Sequence, residues 1–196
     1  MKTAYNLFFA LVVGIVLSSC GGNQSTDVKS ASLTGYSLTD LGNGASKAVK
    51  KDGNGLVVEE GYVINGVKNG QWTSYDEGGK IYAVTNYING KKNGKELIFN
   101  KRFQVETMVS YTDDQYDGIY GEYKNGRPEQ EVSYKMGQFD GPTRMYFKTG
   151  KLQKEVNFKD GKQHGDYRFY DEEGNITVQY KYRDGNKISG GIVKQD

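Results

Sequence analysis

Few residues in this chain have the chemistry for catalysis, and their spacing denies them partners. The 196 residues hold one cysteine, Cys20, and one histidine, His164. A catalytic site needs a nucleophile, a base and an orienting group within mutual reach, and a zinc site draws three or four ligands largely from His and Cys. These counts supply neither. Gly90-Lys91-Lys92-Asn93-Gly94-Lys95 has the outline of a phosphate-binding loop, but three residues separate its glycines instead of four and Glu96 stands in place of Ser or Thr. The acidic turn residues Asp76, Glu77, Asp171, Glu172 and Glu173 fall short of a calcium loop. His164 precedes Gly165 where other copies of the same stretch carry Asn or Asp, so it reads as a turn residue. The chain is expected to be non-enzymatic, with no metal and no cofactor.

Cys20 has a different use. Lys2 is followed by an apolar run, Leu7 to Leu17, and then by Ser18-Ser19-Cys20. A charged start before a 7–15-residue apolar core is the layout of a secretory signal, and the run is short for a membrane span. Leu17-Ser18-Ser19-Cys20 is similar to a bacterial lipobox, whose Cys becomes acylated and then forms the new amino terminus. Residues 1–19 are thus expected to be a lipoprotein signal peptide and Cys20 the lipidation site, with two or more acyl chains sufficient for anchoring. As the only cysteine, Cys20 excludes an intramolecular disulfide. Gly21 follows it where Asp would, by resemblance to enterobacterial sorting, favour retention in the inner membrane. The expected location is the bacterial envelope, lipid-anchored at the outer membrane.

Charge excludes another class. With 26 basic and 24 acidic residues, interleaved throughout, no face is basic enough to displace the counterions of a nucleic acid. Residues 20–54 are rich in Gly, Ser, Thr, Asn and Lys with little apolar periodicity, and read as a flexible tether reaching on the order of 30 Å. Half of a degenerate repeat, around Val57 and Val63, reads as a cap at the start of residues 55–196.

Those residues are a repeat domain. Paired markers stand at Gly66 and Gly70, Gly90 and Gly94, Gly137 and Gly141, and Gly161 and Gly165. First markers fall at Gly66, Gly90, Asp114, Gly137, Gly161 and Gly185, in steps of 24, 24, 23, 24 and 24 residues. Such a period signals units that bury their apolar faces only by stacking. In the first full unit the sequence predicts a strand from Gln71 to Tyr75, a turn at Asp76-Glu77-Gly78-Gly79 and a strand from Lys80 to Tyr87. Asn-Gly and Asp-Gly steps, including Asp117-Gly118 and Asp140-Gly141, read as tight turns. The single 23-residue step maps to the turn at Lys124–Pro128, where a lost residue leaves strand register intact.

The second strands alternate with period two. Ile81, Ala83, Thr85 and Tyr87 recur as Val105, Thr107, Val109 and Tyr111, and later as Leu152, Lys154, Val156 and Phe158. One face is expected to be apolar and aromatic and the other wet, except in the first unit, where Tyr82 and Val84 point outward. The expected fold is all-β: an elongated, twisted antiparallel sheet of repeated β-hairpins, about five units with partial caps.

Glycines at fixed spacing, an aromatic a few residues on, an acidic-Gly turn and a closing aromatic together resemble MORN-type repeats. The likeness is carried best by Phe158–Tyr167, then Tyr170, Gly174 and Tyr180, and is nearest to the bacterial variant in YwqK-family antitoxins. It spans about Gly61 to Gly191, with departures at Asp114, Lys101-Arg102-Phe103 and Ser189. The resemblance implies a meander of hairpins used for protein–protein contact or membrane association. It leaves three readings of function: a lipid-anchored scaffold for a protein or peptide partner, an antitoxin-like protein, or a glycan-binding surface lipoprotein. In the scaffold and glycan readings the expected binding face is the row Tyr87, Tyr111, Tyr134, Phe158 and Tyr182.

Overall fold

The computed structural model describes residues 33–194. Cys20 and the signal-peptide segment lie outside them. The described residues form one 14-stranded antiparallel sheet in strict sequence order, a continuous open meander without helices. The strands are β1 (Tyr36–Gly42), β2 (Ala45–Lys51), β3 (Val57–Ile64), β4 (Val67–Tyr75), β5 (Ile81–Ile88), β6 (Lys91–Phe99) and β7 (Val105–Thr112). They continue as β8 (Gln115–Lys124), β9 (Arg127–Lys135), β10 (Gln138–Tyr146), β11 (Leu152–Lys159), β12 (Lys162–Tyr170), β13 (Ile176–Arg183) and β14 (Asn186–Ile192).

Two kinds of turn alternate. At the first markers the link is a two-residue hairpin with both residues at positive φ, as at Asn89 (49°) and Gly90 (81°). This is the type I′ turn whose twist suits the flanking strands. These turns also stack on one another. The N–H of Gly90 donates to the Lys68 carbonyl at 2.8 Å, Gly137 to Tyr116, Gly161 to Phe139 and Gly185 to Gln163. Asp114 keeps the bond in place of Gly, donating to the Lys92 carbonyl at 3.0 Å, while its Oδ1 accepts the Lys92 N–H at 2.7 Å. The other kind is the five-residue turn within each unit, closed by a side chain such as Asp76, whose Oδ1 accepts the N–H groups of Gly78 and Lys80 at 2.9 Å. Between β8 and β9 this turn shrinks: Tyr123 faces Pro128, whereas Phe99 faces Val105. The missing residue lies in that turn, and the register beyond it is preserved.

The second markers are not turns. Asp117-Gly118, Asp140-Gly141 and His164-Gly165 lie inside β8, β10 and β12, each at a shift of register. These are bulges, so the first strand of each unit begins about four residues earlier than the sequence predicts. The Asx-Gly signal reports positive φ, which a bulge requires as much as a turn does.

The sheet also starts earlier than expected. Residues 36–51, inside the segment read as tether, form β1 and β2. Ala48 is fully buried with Val63 and Trp72, and Leu33, Tyr36 and Tyr87 pack on that cluster. The segment escapes a periodicity test because a small residue, Ala48, is the one it buries. Elsewhere the central row of one face carries the core: Val109, Val132 and Val156 are buried on successive second strands.

The opposite face is less uniformly wet than the sequence suggests. Along one row Thr73, Val84, Leu97 and Met108 oppose one another in turn. Beyond Gly121 the row continues as Glu131, Arg144, Glu155 and Arg168. Arg144 Nε donates to Glu155 at 2.8 Å. Tyr75 and Tyr146 donate their hydroxyls on this face to Glu60 and Glu131, each at 2.7 Å.

Candidate functional site

The predicted binding residues share one row on the aromatic face. Register sets each opposite a second-marker glycine: Tyr87 with Gly70, Tyr111 with Gly94, Tyr134 with Gly118, Phe158 with Gly141 and Tyr182 with Gly165. At Gly118 the reason for glycine is explicit. Its φ is 105°, and a Cβ there would come within 3.0 Å of Ser110 Cβ on the neighbouring strand. The bulge thus brings the backbone close on one face while leaving the other face clear beside the ring.

On its far side each of the five faces a residue the sequence reading passed over: Lys92, Tyr116, Phe139, Gln163 and Lys187. All stand two positions after a first marker, where Lys68 also belongs. In the middle units this position is aromatic, and there the rings meet. Tyr111 and Tyr116 are edge-on at 5.2 Å between centroids, Tyr116 and Tyr134 at 5.1 Å. Tyr134 and Phe139 follow at 5.1 Å, then Phe139 and Phe158 at 5.3 Å. Five rings from five consecutive strands form one ladder. At strand spacing of ~4.8 Å it is about 19 Å long. The two edge-to-face contacts, both made by Tyr116, are favourable beyond area burial. The ladder is half-buried, with Phe139 40% exposed. The column two residues after each first marker carries the signal: Tyr116 and Phe139 are its only aromatics, among Lys68, Lys92, Gln163 and Lys187.

The two outer residues are placed differently. Tyr87 packs edge-on against Trp72 at 6.2 Å, under the ammonium of Lys68. That ammonium lies 3.9 Å from the Trp72 centroid and 5.3 Å from Tyr87, with Glu59 at 2.7 Å. The arrangement is a cage already filled by the protein's own cation. Tyr182 lies beside Tyr167 at 5.9 Å, off the ladder.

Burial raises the phenol pKa of both Tyr111 and Tyr134 in the ladder. Burial, followed by the nearby carboxylate of Glu96, pushes the Tyr111 phenol far above its ordinary value. Burial and the charges of Glu59, Glu96 and Asp114 push Tyr87 up to about 12. Glu96 is the buried charge beside the ladder. Burial works to raise its carboxyl, but hydrogen bonds from Lys92 (2.7 Å), Thr85 (2.9 Å) and Tyr111 (3.1 Å) hold it below the ordinary range. The surface is therefore an uncharged row of rings bordered by Lys92, which suits stacking and van der Waals contact.

His164 does not join the ladder. It stands in the bulge of β12 with Nδ1 3.2 Å from Asp184 Oδ1. That contact matches those in which Asp117 and Asp140 accept backbone N–H groups from the next turn, at Met136 and Asp160. Among the described residues no group of three or more His, Cys, Asp or Glu side chains is placed to hold a metal.

A model of the MORN repeat variant matches residues 68–89, 139–160 and 163–184. These three matches support a repeat protein of MORN type, a kind of repeat associated with binding. No curated protein matches the chain. Among solved structures, a crystal structure of a mutant S. aureus TarM in complex with Fondaparinux, alpha-GlcNAc-glycerol and UDP matches at 12% identity with a TM-score of 0.32. The match covers 67% of this chain and 21% of that one.

Proposed function

We propose that this protein is a non-enzymatic scaffold of the bacterial envelope, held by a lipid on Cys20, which presents its aromatic ladder to an extended segment of a partner protein. The observation that carries the reading is the ladder Tyr111–Tyr116–Tyr134–Phe139–Phe158. Among the described residues, rings gathered on one half-buried row of this single-layer sheet have no second layer over them. Tyr and Phe supply large contact area at low entropic cost, which is why such residues dominate binding hot spots. The repeat architecture favours the same reading, because stacked units offer a long continuous surface to one ligand.

The test is recovery of partners from envelope extracts with the wild-type chain and with Tyr111→Ala and Tyr134→Ala. A partner held by the wild type and lost with both variants is the expected result. Equal recovery on all three would overturn the assignment of the face, and hits on a glycan array with no protein partner would transfer it to a sugar ligand. Anchoring is tested separately by metabolic labelling with a fatty-acid analogue. Label is expected on the wild type and absent from Cys20→Ala; equal label on both overturns the anchor.

A further inference from the structure

Among the described residues the sheet is open at both ends, and its two end strands are complementary. Among the described residues β1 pairs only with β2, and β14 only with β13. Each therefore presents backbone N–H and C=O groups without a ladder partner, apart from the Tyr36 N–H, which donates to the Leu33 carbonyl at 3.1 Å; natural sheets normally cover or charge such an edge. Here each edge also exposes large apolar side chains. Leu38 is 52% exposed on β1, and Ile188 and Ile192 are 52% and 82% exposed on β14. Each strand has one charged side chain, Asp40 on β1 and Lys187 on β14.

We infer that the β14 edge of one molecule pairs with the β1 edge of a second copy, continuing the sheet from chain to chain. The repeat itself supplies the register. In every interior unit the central residue of the first strand opposes that of the following second strand: Trp72 with Thr85, Glu96 with Val109, Tyr120 with Val132, Thr143 with Val156 and Tyr167 with Tyr180. β14 is a first strand whose central residue is Gly190, opposite Tyr180. β1 is a second strand whose central residue is Leu38, opposite Ala48. Pairing Gly190 with Leu38 of the next copy sets Gly191 against Ser37 and Ile192 against Tyr36.

Side chains agree with that register. Gly190 accepts no Cβ, since one would come within 2.1 Å of the Gln179 carbonyl oxygen, and its bare backbone leaves room for the Leu38 side chain. Ile192 gains the Tyr36 ring, an aromatic–aliphatic cross-strand pair. Asp40 and Lys187 fall at the same end of the contact with opposite charges. The alternative of two β14 edges meeting would leave Leu38 uncovered and give Lys187 no Asp40 beside it. A head-to-tail contact of this kind uses two different surfaces, so it generates chains or rings of molecules instead of a two-fold dimer. It is independent of the role given to the aromatic ladder.

Disulfide trapping in the full chain tests it. Ser37 is exposed and differs from Cys by one atom, and a Cβ at Gly191 meets nothing within 4 Å at ordinary φ. Directly opposed residues lie well inside disulfide reach, whereas within one molecule the two positions are at opposite ends of the sheet. On mild oxidation the Ser37→Cys/Gly191→Cys chain should give a non-reducing ladder of dimer, trimer and longer species. In a Cys20→Ser background, which leaves only the introduced thiols, the parent chain and each single variant should remain monomeric, and the two single variants mixed should give dimer only. No ladder from the double variant, with both thiols open to a maleimide reagent, would overturn the proposal. So would dimer from Gly191→Cys alone, which marks β14 meeting β14.

Discussion

Gly61 lies directly beneath Trp72: a Cβ at position 61 would stand 2.3 Å from indole Cδ2. The indole is 1% exposed and is fixed by its Nε1–H donating to the Tyr62 carbonyl at 3.0 Å. With Tyr36 and Tyr87 edge-on to it at 5.6 and 6.2 Å, it joins β1 to β5 through a single side chain. Gly61→Ala must displace it. Overpacking of this kind costs about 1–3 kcal/mol. Because Trp72 is the only tryptophan, its emission should shift to the red as the midpoint of thermal unfolding falls. Gly121→Ala is the control. It also meets a ring, at 2.7 Å, but the atoms are the outer end of the Tyr123 side chain, which can swing aside. Equal losses in the two variants would show that Trp72 is not specially constrained.

Met136 holds φ at 47° in the hairpin between β9 and β10, a position filled in the other first-marker turns by Asn or Asp. The left-handed region costs an ordinary side chain roughly 1–2 kcal/mol, and Asn much less. Met136 is also 55% exposed, so its ring-free apolar chain gains little by packing. Met136→Asn is therefore expected to stabilise the protein by about 1 kcal/mol, which raises the unfolding midpoint by ~2–4 °C for a chain of this size. A lower midpoint would mean that the Met136 side chain makes contacts worth more than the strain.

These two sites mark what could be read from the residues alone. Period, strand type, hairpin order and even the place of the missing residue follow from Gly and aromatic spacing, because a period of 24 with alternation of two leaves one topology. What escaped was of two kinds. Positive φ at Asx-Gly does not separate a bulge from a turn, so Gly118 and His164-Gly165 read as turns. Burial by a small residue leaves no apolar signature, so Ala48 and the strands around it read as tether. Tyr116 and Phe139 stand out in their column of Lys and Gln, but only register shows that they meet Tyr111 and Tyr134.

Glu96 gives the pH dependence. Its carboxyl is held below the ordinary range against burial, by hydrogen bonds from Lys92, Thr85 and Tyr111. For a group whose folded value is depressed, the contribution to stability is present above the unfolded value, near ~4.3, and is lost as pH falls through the folded value. Glu96→Gln should lower the midpoint at pH 7 by an amount equivalent to about 1–3 kcal/mol, since it leaves the Lys92 ammonium without its counter-charge. It should also flatten the fall of the midpoint below pH ~4. An acid limb as steep as in the wild type would place the acid-labile group elsewhere.

Phe139 separates recognition from stability. It is the most exposed ring of the ladder and lies between Tyr134 and Phe158, whereas Tyr111 is tied to Glu96 by its hydroxyl. Truncating Tyr111 therefore disturbs both the ladder and a buried carboxylate, but truncating Phe139 removes only ring contacts. If the ladder is the binding surface, Phe139→Ala should weaken the partner by at least ~2 kcal/mol, about thirtyfold, as a central hot-spot residue does. Its unfolding midpoint should change little. Phe103 supplies the matched control: it is 58% exposed, stacks on Phe99 at 4.9 Å away from the ladder, and holds φ at 61°. Phe103→Gly removes a comparable ring while relieving the backbone, and should leave affinity unchanged. Loss of affinity in Phe103→Gly with none in Phe139→Ala would move the binding surface to the opposite face.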